Sequence, residues 1–234
     1  PDLLDWLAVE FMQEGWSTKR LIRRLVLSQT FRQSGRVDQA AVDHDPDNRL
    51  WHHYPTRRLE AESIRDAMLA VSGRLDPTLF GRPIDPPRAK EDPAKRLFSG
   101  PLDGNGRRSI YLKMSIMDPP KFLVGFNLPD LKLPSGKRDE TNVPTQALVL
   151  LNDPLVKELS RQWAKSLVAG SQAAPEDMVA QLFLAAYGRV PDSSETNRWV
   201  SAWQSFRANS ADDLQAWSEI THLIFNTKEF LYVR

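Results

Sequence analysis

Residues 136–154 read GKRDETNVPTQALVLLNDP. Lys137 and Arg138 offer cationic donors, Asp139 and Glu140 adjacent carboxylates, and Thr141, Asn142 and Thr145 short polar side chains around the start of an apolar burst. Pro144 suits the first turn of a helix, where a missing N–H removes nothing. A helix beginning there would aim unpaired backbone N–H groups at its entrance, and with Lys137 and Arg138 upstream it could hold an anion or a partner's acidic group. The competing assignment is a capped junction between helices, in which Asp139, Thr141 or Asn142 satisfies those same donors. Lys137, Arg138, Asp139, Thr141, Asn142 and Thr145 are therefore the candidate anion or partner site, although their chemistry alone favours the junction. Asp139-Glu140 could also serve acid–base chemistry, but exposed acidic pairs are commonplace.

Other constellations are weaker. His44 lies among Asp43, Asp45 and Asp47, with His52-His53 close behind. A hard cation wants several oxygens from one turn, but this stretch lacks the glycine and distal glutamate of a calcium loop. Adjacent histidines also miss the i, i+4 spacing of a zinc helix, so turns and caps explain the stretch better and no metal is expected. His222, inside the last helix, reads as a satisfied structural histidine. Lys19, Arg20, Arg23, Arg24 and Arg32 make a basic helical face that could meet phosphates. However, 31 basic against 30 acidic residues leave no overall field for nucleic acid, and a solvated face opposite a Leu/Ile stripe is the simpler reading. Trp199, Trp203 and Phe206 could stack on sugars, yet their spacing is that of a core stripe. No G-x-S-x-G, phosphate-cradling G-x-x-x-x-G-K or H-E-x-x-H occurs. The chain has no Cys, which excludes disulfides, thiolate metal sites, iron–sulfur clusters and covalent c-type haem within it. No catalytic constellation is visible and no cofactor is expected.

The elements that must carry these residues are mostly helical. With 234 residues and 41% hydrophobic content the chain can bury a real core. Asp2 can cap a helix that Gly15 ends, and Ser17 can cap a second with Leu21, Ile22, Leu25 and Val26 inward, running to about Phe31. A third helix follows Pro55-Thr56 and closes at Gly73. From Arg74 to Arg108 the pattern collapses into Pro, Gly and charge, the signature of a linker or a long surface loop. SIYLKMSI (109–116) alternates like a strand, with Arg96-Leu97-Phe98 as the best local partner. Asp118-Pro119-Pro120 opens a short helix, Asp153-Pro154 a longer one ending near Gly170, and Pro175 another. Asp192 to Glu195 has capping-box spacing, and Ser210 to Asp213 leads the last helix. The expected fold is mainly α, a bundle-like multi-helix domain with a long Pro-rich loop and one small β element. Its expected parts are 1–73, the loop or linker 74–108, and 109–234 sharing a core with 1–73. No apolar run is long enough to span a membrane. The abrupt opening at Pro1-Asp2 suggests a piece of a longer protein.

The stretch RDETNVPTQALVLLNDP also resembles the signature of a planctomycete domain of unknown function. That domain accompanies cytochrome-c-like and PSCyt modules at the C-terminal side of large exported proteins. LLDWLAVEF, GWSTKRLIRRLVLSQTFRQS, RRLEAESIRDAMLAVSGRLD, RRSIYLKMS, AAYGRVPDSSE and IFNTKEFLYVR fit the same family in the same order. His52-His53-Tyr54 departs from the more basic run expected there. The resemblance implies an exported, periplasmic or cell-surface module and carries over no catalytic residue. The expected function is non-catalytic binding or scaffolding beside cytochrome-c-type electron transfer. The alternative is a hydrolytic or carbohydrate-active domain in polysaccharide processing, its site drawn from 136–146 and the 43–53 loop. Expected partners are other domains of the same polypeptide, cytochrome-c-like modules among them, with polysaccharide left open and no nucleic acid.

Overall fold

A computed structural model describes residues 2–134, 136–169 and 173–233. The chain divides into two compact units, residues 1–57 and 58–233. The division falls at neither 73 nor 108.

The first unit holds α1 (Asp2–Gln13), α2 (Thr18–Val26) and α3 (Gln39–His44). Gly15, at φ 71°, takes the left-handed position that ends α1. Its N–H donates to Met12 at 3.1 Å and that of Trp16 to Phe11 at 2.9 Å, the paired closing bonds of a Schellman turn. Ser17 caps α2 as its position predicts, its hydroxyl accepting from the Arg20 amide at 3.4 Å. The helix stops at Val26, short of Phe31, and none of the three helices buries a residue. The expected inward stripe of α2 instead faces outward, with Ile22 58% and Leu25 45% exposed.

The second unit contains the core. Its helices are α4 (Ala61–Val71), α5 (Lys121–Gly125), α6 (Pro144–Asn152), α7 (Pro154–Ala169), α8 (Pro175–Tyr187), α9 (Ser193–Asn209), α10 (Asp213–Phe225) and α11 (Lys228–Leu231). Gly170, expected near the end of α7, lies outside the described residues. The long helices α7 and α10 pack against each other, and one buried polar bond joins them. The buried Thr221 hydroxyl donates to the Ser160 carbonyl at 2.9 Å. Aromatic pairs extend the core, Trp163 on Phe225 at 5.4 Å and Trp203 on Trp217 at 5.3 Å, both stacked, with Phe183 edge-on to Trp199 at 5.9 Å. Ile64, Leu159 and Ile220 are wholly buried, each contributing about 1.5–3 kcal/mol of transfer free energy. The Asp192–Glu195 capping box of α9 forms as its spacing requires.

The Pro-rich stretch belongs to this unit and is no linker. Arg65, buried on α4, donates to the carbonyls of Asp103 at 2.7 Å and Arg107 at 2.9 Å and to the Ser109 hydroxyl at 3.1 Å. Backbone bonds from Asp76 to Gly106 and from Ile84 to Tyr111 fasten the rest. The expected strand at 109–116 is a 3-10 turn over Ser109–Tyr111 followed by one isolated bridge, Ile84 to Leu112. Side-chain bonds explain the difference: Asp66 accepts from both the Ser109 amide and hydroxyl at 2.7 Å, which curls the backbone. The sole sheet among the described residues pairs β1 (Arg57–Arg58) with β2 (Tyr232–Val233). None of the described helices is long and apolar enough to cross a membrane.

Candidate functional site

Helix α5 ends in the same closing geometry as α1, with Asn127 at φ 67° in place of glycine. Asn127 donates its N–H to Val124 at 3.2 Å and Leu128 to Leu123 at 3.0 Å. This turn presents the Asn127 Oδ1 to four donors: Arg58 at 2.7 Å, the Thr141 hydroxyl at 3.0 Å, the Gln146 amide at 3.1 Å and the Thr141 backbone N–H at 3.4 Å. Arg58 also donates to Gln146 Oε1 at 2.7 Å and to the Thr141 carbonyl, and Gln146 to Thr141 Oγ1 at 3.3 Å. Arg58, Asn127, Thr141 and Gln146 thus close a polar ring, with Gln146 buried on the inner face of α6.

Arg138 is gripped separately. It donates to both carboxylate oxygens of Glu62, at 2.6 and 3.2 Å, with Glu60 at 3.5 Å. The hydrogen bond to Glu62, with both carboxylates nearby, raises its pKa above the ordinary arginine value. Glu60 precedes α4 and Glu62 lies in its first turn, where negative charge also suits the helix dipole. Arg138 and Thr141, two of the residues that looked able to hold an anion, therefore tie residues 138–146 to α4 and α5.

Helix α6 starts with Pro144, as expected, but its N-cap is Val143, with no side-chain cap. Neither Thr141 nor Asn142 caps it, because the Thr141 hydroxyl is directed to Asn127. Lys137, Arg138 and Asp139 line one wall of a cleft of about 310 Å3 with Asn127 and Asp130. Asn142 and Thr145 are exposed. Arg58 Nε is buried with no protein partner among the described residues, beside a cavity of about 20 Å3 that Arg138 also lines. That volume admits one water molecule and excludes a phosphate.

The remaining candidates are occupied by the fold. The Asp45 carboxylate accepts from the Leu50 amide at 2.7 Å and the Arg49 amide at 2.9 Å, which hold its pKa below the ordinary value. His52 contacts the Asp45 carbonyl at 3.1 Å and His53 at 3.2 Å. Among the described residues no group of three or more His, Asp or Glu side chains is placed to hold a metal ion. His222 Nε2 donates to the Leu150 carbonyl at 2.8 Å, joining α10 to α6. Trp199, Trp203 and Phe206 pack on the core, as their spacing predicts.

Sequence reasoning missed Arg58, Glu62, Asn127 and Gln146, whose partners lie far along the chain. The one local signal was Asn127 just after a short apolar helix, where a left-handed residue is often needed. It also missed the Arg189 clamp. That side chain meets Glu195 at 2.7 Å and Glu229 at 2.7 Å, joining the end of α8 to α9 and α11. The Arg189 hydrogen bond holds the Glu195 carboxyl down at about 2, while burial pushes Tyr187 up to about 12.

The family described as PSD1, protein of unknown function (DUF1553), matches residues 1–203. No curated protein and no solved structure matches the chain.

Proposed function

The chain belongs to the PSD1 family of unknown function, and on that premise we propose that it is a non-catalytic binding and scaffolding module. In this reading it is part of an exported multidomain protein, where it works beside cytochrome-c-type electron-transfer modules and carries no cofactor of its own. The observation that carries the reading is the use made of the candidate residues. Arg138 is committed to Glu62, and Arg58, Thr141 and Gln146 to one another and to Asn127. A cationic centre with those bonds is a fastening, and the cavity of about 20 Å3 beside the Arg58 guanidinium admits no substrate there. The tryptophans of α9 support the same reading, since Trp199 and Trp203 are partly buried against the core and present less ring face to a sugar.

A thermal-shift screen of the chain tests this. Glycans, sulfated glycans and divalent metals should leave the melting temperature unchanged, whereas a soluble c-type cytochrome or a neighbouring module should raise it. A glycan-induced shift that disappears in Arg138→Ala would overturn the scaffold reading in favour of the carbohydrate-active one.

A further inference from the structure

The first unit carries a groove of about 1060 Å3 lined by residues of α1, α2 and the segments that follow. Its walls are apolar and solvent-exposed: Leu3 is 70% exposed, Ile22 58%, Phe31 54% and Trp51 52%. Contiguous apolar surface of this kind marks an interaction site far more often than isolated exposed residues do. The groove is large for a small-molecule pocket, which typically occupies about 300–1,000 Å3. A helix with its side chains measures about 10–12 Å across, so roughly two turns of one would fill this space.

Charge selects among helices. Arg24 lines the groove but is already paired with Glu10 and Glu14. Arg20 and Arg23 also line it, and neither makes an ion pair among the described residues; Arg20 reaches only the Glu14 carbonyl, at 3.5 Å. The apolar floor therefore has a rim with two unneutralised guanidinium groups. Tryptophan and arginine together are also the side chains that most often dominate binding energy at interfaces. We propose that this groove docks an amphipathic helix with an acidic flank, supplied by a partner polypeptide. The proposal rests on the binding-module reading above and names the class of partner.

The probe is a labelled peptide of roughly 18 residues, about five turns, with Leu at helical spacing and Glu on both flanks. A second peptide carries Lys in place of every Glu. Anisotropy titrations against the whole chain should show binding of the Glu peptide. Affinity should fall about tenfold or more in the surface variant Arg20→Glu/Arg23→Glu and on raising salt to molar levels. Leu25→Asp should abolish binding while the circular dichroism spectrum stays that of the parent. Equal binding of the Lys peptide would overturn the assignment, as would binding of neither. Self-association that Leu25→Asp abolishes, with the Glu peptide unable to compete, would also overturn it by assigning the groove to a second copy. The two proposals fail separately. A cytochrome-induced thermal shift without peptide binding removes the docking site alone, and a glycan shift lost in Arg138→Ala removes the scaffold reading.

Discussion

Replacing Asn127 tests whether the polar ring fastens residues 138–146 to the body of the second unit. Asn127→Ala removes one acceptor from a charged donor, a loss of about 1.5–3 kcal/mol, and from three neutral donors at about 0.5–1.5 kcal/mol each, the long bond from the Thr141 N–H at the low end. It also places a Cβ-bearing residue without a local polar group at φ 67°, which costs roughly 1 kcal/mol. Thr141 is exposed, so water recovers part of the loss and the net destabilisation should be about 3 kcal/mol. For a unit of this size that lowers the melting temperature by roughly 6–12 °C. Asn127→Gly loses the same bonds without the backbone strain and should cost about 1 kcal/mol less than alanine. Urea titrations followed by tryptophan fluorescence give both numbers, and limited proteolysis should show faster cutting within 136–143 in both variants. The reasoning fails if Asn127→Ala costs under about 0.5 kcal/mol, or if glycine is no better tolerated than alanine.

Three further outcomes are expected. The Glu195 carboxyl, held at about 2 in the fold against an ordinary 4.5, stabilises the protein fully above that ordinary value. This contribution is lost as pH falls from about 4.5 towards about 2, and Glu195→Gln should flatten that acid limb in pH-dependent melting curves. Arg65→Ala leaves the carbonyls of Asp103 and Arg107 without their donor inside the unit; chemical denaturation should show a loss of about 3–5 kcal/mol. Gly106→Ala would put a Cβ 1.9 Å from the Arg74 carbonyl oxygen at a φ of 74°, so equilibrium unfolding should register a cost of about 3 kcal/mol or more.

The features that could be read from sequence share one property, that their partners lie within a few residues. Ser17 and its amide, the Asp192–Glu195 box, Gly15, and Pro144 in its first turn all formed as the spacing implies. The alternation at 109–116 misled because periodicity records side-chain type and not hydrogen-bond partners. Leu112 is buried, but Ile110 is 76% and Ile116 56% exposed, and Asp66 on α4 competes for the backbone. Nor could sequence show that the apolar stripe of α2 would stay uncovered, since a buried face and a docking face have the same pattern. For the candidate site, residue types were enough to single out Arg138 and Thr141. Their roles depend on Glu62 and Asn127, whose proximity only the folded chain establishes.

The span of the polar ring has a consequence for the order in which the protein assembles. Arg58 lies 69 positions from Asn127 and 88 from Gln146. Bringing such distant residues together costs on the order of 4 kcal/mol in loop-closure entropy, whereas a capping box needs no long closure. The ring therefore gains favourable free energy only after the packing of α4 against α5 and the bonds from Arg65 to residues 103–109 have restricted the chain between its members. On refolding it should be a late event, and in the native state its opening should precede global unfolding, so that amides in 138–146 exchange ahead of those in α10. The residues that first suggested an anion site are, on this timescale, among the last to take their places.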